Sequence, residues 1–171
     1  MRSEPPPYPA KVSDEVPDRN DLCAVLATVP ERAADIATEL DGPGLAYRHG
    51  PSFPTVGEIV SHLCESGSAI DAVLRPVAIE GARELRLRAA LETERDADLL
   101  PPLETQLEDF ARVRRRTVDV LHAMPTEFWD RELFDPDVGH LTVREAVGSV
   151  VRHELGHLSQ LQSLVALLPV A

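Results

Sequence analysis

The chain has 171 residues, enough for one domain with a real core, and its apolar residues (43%) include few aromatics (4%). A formal net charge of -12 repels phosphate backbones and anionic lipid surfaces, which argues against nucleic acid and membrane partners. Cys23 and Cys64 form no CxxC pair, so a disulfide framework and a cysteine-based zinc site are excluded and a reducing cytoplasm is the expected setting.

Residues 1–17 are rich in Pro, Ser and acidic side chains and read as an extended arm, with one domain expected over 18–171. The opening Met1-Arg2-Ser3-Glu4-Pro5 lacks the apolar core of a signal peptide, and no apolar run is long enough to span a bilayer. A first helix is predicted from about Asp18 to Leu40. Its stripe is Leu22, Val25, Leu26, Val29, Ala33, Ile36, Ala37 and Leu40, with Pro30 expected to kink it or split off a turn.

The second helix has a clear start. Thr55-Val56-Gly57-Glu58 is a capping box, and Ile59, His62, Leu63, Ser66, Ile70 and Val73 follow at helical spacing. His62 therefore falls on the inward stripe, where a polar ring needs a partner. Pro76 is expected to end or bend this helix. From Val77 to Pro102 the apolar pattern is weak, and the stretch reads as a long crossover with some helix in it.

A third helix is predicted from about Leu103 to Ala123, with Leu107, Phe110, Val113, Thr117, Val120 and Leu121 inside. Arg112, Arg114, Arg115 and Arg116 read as a solvated face paired with Glu108, Asp109 and Asp119. Thr126 to His140 reads as a loop or short turn. The fourth helix opens on a second capping box, Thr142-Val143-Arg144-Glu145, and carries Val147, Val150, His153, His157, Leu161 and Leu164 on one stripe. Four helices, one long crossover and no convincing strand pattern predict an all-α four-helix bundle with the crossover between helices 2 and 3.

His153-Glu154-Leu155-Gly156-His157 is the stretch that carries chemistry. Two imidazoles four residues apart on a helix lie roughly 40° apart around the axis and about 6 Å apart along it, close enough to share one metal ion. The five residues also spell HExxH, the zinc-protease signature in which the Glu is a general base. The common peptidase layouts take a third ligand from the residues that follow, but 158–171 contain no His, Asp, Glu or Cys. A third ligand must come from upstream. His49 and His140 fall in loops and His122 lies off the third helix's stripe, so His62 is the candidate. Three imidazoles leave coordination positions open, which fits a catalytic site better than a structural one.

Thr55-Val56-x-Glu58-Ile59-Val60-x-His62-Leu63, then Leu141 to Glu145, then His153-x-x-x-His157-Leu158-Ser159-Gln160-Leu161 resembles the DinB/YfiT-like superfamily over about Asp18 to Leu168. The resemblance implies a metal-binding four-helix bundle with ligands His62, His153 and His157. It implies one divalent metal, zinc or nickel first, and often a low-molecular-weight thiol as cosubstrate. The leading expectation is a metal-dependent thiol S-transferase acting on a small electrophile. The alternatives are a metal-dependent hydrolase using metal-bound water and a non-enzymatic stress or metal-binding protein. Glu154 is carried as a candidate catalytic base, with a helix-surface or supporting carboxylate as the other reading. Cys64 lies well round the helix from His62 and reads as packing, while Gln160 is placed to hydrogen-bond inside the core. The resemblance, with Leu85, Leu87 and Leu91 read as surface residues, leads to an expected homodimer.

Overall fold

A computed structural model describes residues 17–93 and 100–168; the arm at 1–16 lies outside the described residues. Among the described residues the long helices are α1 (Arg19–Thr38), α3 (Val56–Ile79), α5 (Leu103–Ala123) and α7 (Val143–Val165). Shorter pieces connect them: α2 (Gly42–Leu45), α4 (Leu87–Leu91), α6 (Thr126–Trp129) and a hairpin of β1 (Glu132–Asp135) and β2 (Gly139–Thr142). The four-helix bundle and its crossover are as expected.

The long helices pack in the ring order α1–α5–α3–α7, so α1 and α3 are largely diagonal. Their directions follow from named contacts. Arg19 Nη1 donates to the Met124 carbonyl at 3.3 Å, which sets the start of α1 beside the end of α5. Asp18 and Arg144 lie 3.9 Å apart at the starts of α1 and α7, which run the same way. Gly67 faces Phe110, and Asp71 accepts from Thr117 at 2.8 Å, so α3 and α5 are also parallel. Gly67 is required there: a Cβ at this position would lie 2.3 Å from the Phe110 ring. Parallel neighbours cannot be joined by a tight turn, which is why the chain needs the long connection after Ile79.

Pro30 sits within an unbroken α1, and α3 runs three residues past Pro76. The stretch at Thr126 to His140 holds a helix turn and the hairpin, correcting the expectation of no strands. Gly139 closes the hairpin turn at φ 95°, a conformation that favours glycine. Phe134 also bonds to the crossover, donating to Arg83 O at 2.8 Å and accepting from Leu85 N at 3.1 Å. The buried Asp135 accepts from Leu87 N at 2.6 Å. These bonds pull the crossover onto the bundle. Leu85 and Leu87 are therefore only 4% and 2% exposed, and Leu91 packs partly buried on the same cluster. Of the leucines read as surface residues, Leu85 and Leu87 are core residues and Leu91 packs against the core.

The interior divides into two apolar clusters. One gathers Leu26, Ile70, Leu74, Trp129 and Val147; the other gathers Val29, Ile59, Leu63, Phe110 and Leu161. Along α3, α5 and α7 the residues between them include Ser66, Arg114 and Glu154, all buried. The candidate site adjoins this polar layer.

Candidate metal centre

Both helices that carry the site start at the predicted capping boxes. Thr55 Oγ1 accepts from Glu58 N at 3.0 Å while Thr55 N donates to Glu58 Oε2 at 2.6 Å. Thr142 and Glu145 repeat the exchange at 3.2 and 2.6 Å. Each box satisfies otherwise orphaned helix-end donors and fixes where the apolar stripe begins, and so where each histidine points.

His62, His153 and His157 come together. Their potential ligand atoms all lie within 4.8 Å of one another, and His62 Nε2 is 3.2 Å from His153 Nε2. The ring centroids are 4.5–5.3 Å apart, edge to face. His62 Nδ1 lies 3.2 Å from Thr93 O, a carbonyl that can only accept. That bond puts the proton on Nδ1 and leaves the Nε2 lone pair facing the other rings. His157 Nδ1 makes the matching bond to Gln160 Oε1 at 3.2 Å. This is how histidine ligands are commonly oriented, with the far nitrogen held by a carbonyl or carboxamide. The donor set fits a divalent ion. Two nitrogens on one tetrahedral zinc lie about 3.3 Å apart, given bonds of about 2.0–2.1 Å.

The electrostatics point the same way. Burial, then the neighbouring His157 and His62 rings, push the His153 pKa down to about 4. Burial and His62 also lower His157, against a raising contribution from Gln160. Rings held neutral at pH 7 are ready to ligate.

Glu154 does not join the group. It is fully buried and hydrogen-bonded to Arg114, which is 1% exposed and packs over the Phe110 ring at 5.3 Å. Burial raises the Glu154 pKa and Arg114 opposes the rise. The expected solvated arginine face is thus broken at Arg114. Arg116 reaches Asp71 at 2.5 Å, and among the described residues only Arg112 makes an expected surface pair, with Asp109 at 2.7 Å. Sequence reading missed the role of Arg114, although its spacing from Phe110, Thr117 and Leu121 places it on the inner stripe. It also missed Thr93, whose carbonyl carries no sequence signal. His49, His122 and His140 are exposed and away from the triad, His140 pairing with Glu132 at 2.8 Å. Cys64 is buried as packing, its thiol pushed up to about 12 by burial and the Glu65 charge.

A cleft of about 690 Å³ opens beside the triad, with His62 and His157 in its wall together with Glu58, Glu65, Gln106 and Gln160. A larger apolar groove of about 890 Å³ runs between α1 and α5 but holds none of the three histidines. The smaller cleft is the one with chemistry in its wall. No described helix is long and apolar enough to cross a membrane.

Comparison with known families matches the DinB superfamily to residues 25–161. Among solved structures, the chain is similar to YfiT from Bacillus subtilis, described as a probable metal-dependent hydrolase with an unusual four-helix bundle topology. The TM-score is 0.68 at 17% identity, covering 92% of this chain and 91% of that one. It is also similar to the DinB-like protein YjoA from Bacillus subtilis, with a TM-score of 0.60 at 18% identity, covering 86% and 91%. No curated protein matches in sequence. At these identities the structures establish the fold alone.

Proposed function

The chain belongs to the DinB superfamily, and we propose that within it this protein is a metal-dependent thiol S-transferase acting on a small electrophile. The observation that carries the reading is the convergence of three imidazoles, two of which, His62 and His157, stand in the wall of an open cleft. His62, His153 and His157 would hold the ion; zinc or nickel suits three neutral nitrogens. A divalent ion there supplies a Lewis acid that lowers the pKa of a thiol bound to it.

The chain's own residues do the rest. Thr93 and Gln160 fix the rings of His62 and His157, and the cleft orients the acceptor. The thiol would give up its proton to solvent on binding; in the transfer the C–S bond then forms as the bond from carbon to the leaving group breaks, and that group departs with the electron pair. Glu154 is committed to Arg114, which removes the motif's own general base and favours a nucleophile that is already anionic.

The second reading is a metal-dependent hydrolase, supported by the description given to YfiT. Metal analysis followed by a screen of thiols against electrophilic acceptors, read by mass spectrometry of the thioether, separates them. Ester or amide cleavage without thiol consumption would establish the hydrolase and end the transferase reading. A chain that takes up no metal ends both. A homodimer is proposed on the resemblance alone, since Leu85 and Leu87 no longer support it; light scattering at micromolar concentration decides.

A further inference from the structure

The cleft beside the triad has a wall with an orphan acceptor. Gln106, on α5, is 8% exposed and lines the cleft. Its Nε2 donates to Pro101 O at 2.8 Å, which fixes the carboxamide and turns Oε1 away from that carbonyl. Gln106 Oε1 then has no hydrogen-bond partner. A buried acceptor left unpaired costs free energy that a bound donor recovers. The same wall carries the carboxylates of Glu65 and Glu58. No lysine or arginine is among the described residues that line it.

We propose that Gln106 is a specificity-determining residue: the cleft takes small molecules that put a metal-seeking group at the histidines and a hydrogen-bond donor, a protonated amine above all, on Gln106 Oε1. This rests on the triad binding a metal and extends the proposed function to the class of substrate. Away from the histidines, an anionic tail meets the Gln106 acceptor and no lysine or arginine, and is disfavoured against an amine. The residue comes from a helix that supplies no ligand, so selection and metal binding are separable.

The test uses the full chain loaded with Co2+, whose sulfur-to-metal charge-transfer band reports thiol binding. Cysteamine and 3-aminopropanethiol are titrated against 2-mercaptoethanol and mercaptoacetate, each scaled to its thiolate fraction. The amines are expected to bind about tenfold tighter than mercaptoacetate, the size of one hydrogen bond to a charged donor. Gln106→Leu should remove that preference and leave mercaptoacetate within twofold, while Gln106→Glu should restore or enlarge it. Equal affinities, or an amine preference that survives Gln106→Leu in a protein still carrying Co2+, would overturn the inference. If Co2+ loads but no thiol binds, the transferase reading falls by itself. Glycine hydroxamate against acetohydroxamate, read by the shift of the cobalt visible bands, then decides the role of Gln106 by the same criterion. A chain that takes up no Co2+ removes the inference along with the metal centre.

Discussion

His62 and His153 are 91 positions apart in sequence, yet their Nε2 atoms lie 3.2 Å apart. Two neutral imidazoles can share that gap through one hydrogen bond, but His157 then remains beside them with its own inward nitrogen. One divalent ion satisfies all three. Replacing any of the three with Ala is expected to strip most bound metal at neutral pH, measured by elemental analysis after dialysis. Circular dichroism should still show a helical chain. Full metal retention in His62→Ala would mean that the ion sits elsewhere.

Gln160 holds the outer nitrogen of His157 at 3.2 Å. Gln160→Leu should weaken metal binding by about 10–100-fold, the usual cost of losing such an outer partner, while Gln160→Glu should keep most of the affinity. Competition with a calibrated chelator measures both. Equal affinities in Leu and wild type would leave Gln160 with no part in orienting the ring.

The Arg114–Glu154 pair should behave as a buried ion pair. Arg114→Met alone strands a buried carboxylate and is expected to cost about 3–5 kcal/mol, whereas Arg114→Met with Glu154→Leu should recover much of that loss. At ~2–4 °C per kcal/mol for a domain of this size, the single variant melts roughly 6–20 °C lower. Urea titration of both variants and wild type checks it. A double variant as unstable as the single would contradict the pairing.

Metal and pH act on the same rings. An ion that binds only the folded chain adds about 4 kcal/mol at roughly a thousand times its dissociation constant, or ~8–16 °C in melting temperature. In the metal-free chain, His153 has its pKa near 4, below the unfolded value near ~6.5. Between those values the unfolded chain binds the extra proton. The stability from this ring is therefore complete above the unfolded pKa, is lost as pH falls through the window, and levels off below about 4. The lowered pKa of His157 adds to the loss in the same direction. Melting curves from pH 7.5 to 4, with and without zinc, test both effects; a flat metal-free profile would show that the rings are not held neutral.

The long helices were legible because their signals are local. Thr55–Glu58 and Thr142–Glu145 announce two starts, and Leu103–Ala123 follows from an apolar stripe that ends at Met124-Pro125. The histidine grouping was legible for the same reason: His62, His153 and His157 ride on stripes whose phase the caps fix. The hairpin was not, since strands of four residues offer too few positions for alternation to show. Arg114 was hidden inside a run of like charges, and its partner Glu154 was claimed by a familiar motif. Pairing across 40 positions is a tertiary fact with no local trace.

The parallel run of α3 beside α5 has a kinetic consequence. A simple up-and-down bundle zips through short loops, but here the chain must close a long loop before α5 can dock on α3, and a longer one before α7 brings its histidines to His62. Such non-local closures slow folding and come late along the route. The three imidazoles are therefore expected to meet after the rate-limiting barrier. A bound ion would then act mainly as a brake on unfolding, lengthening the lifetime of the native state while leaving the speed of folding almost unchanged.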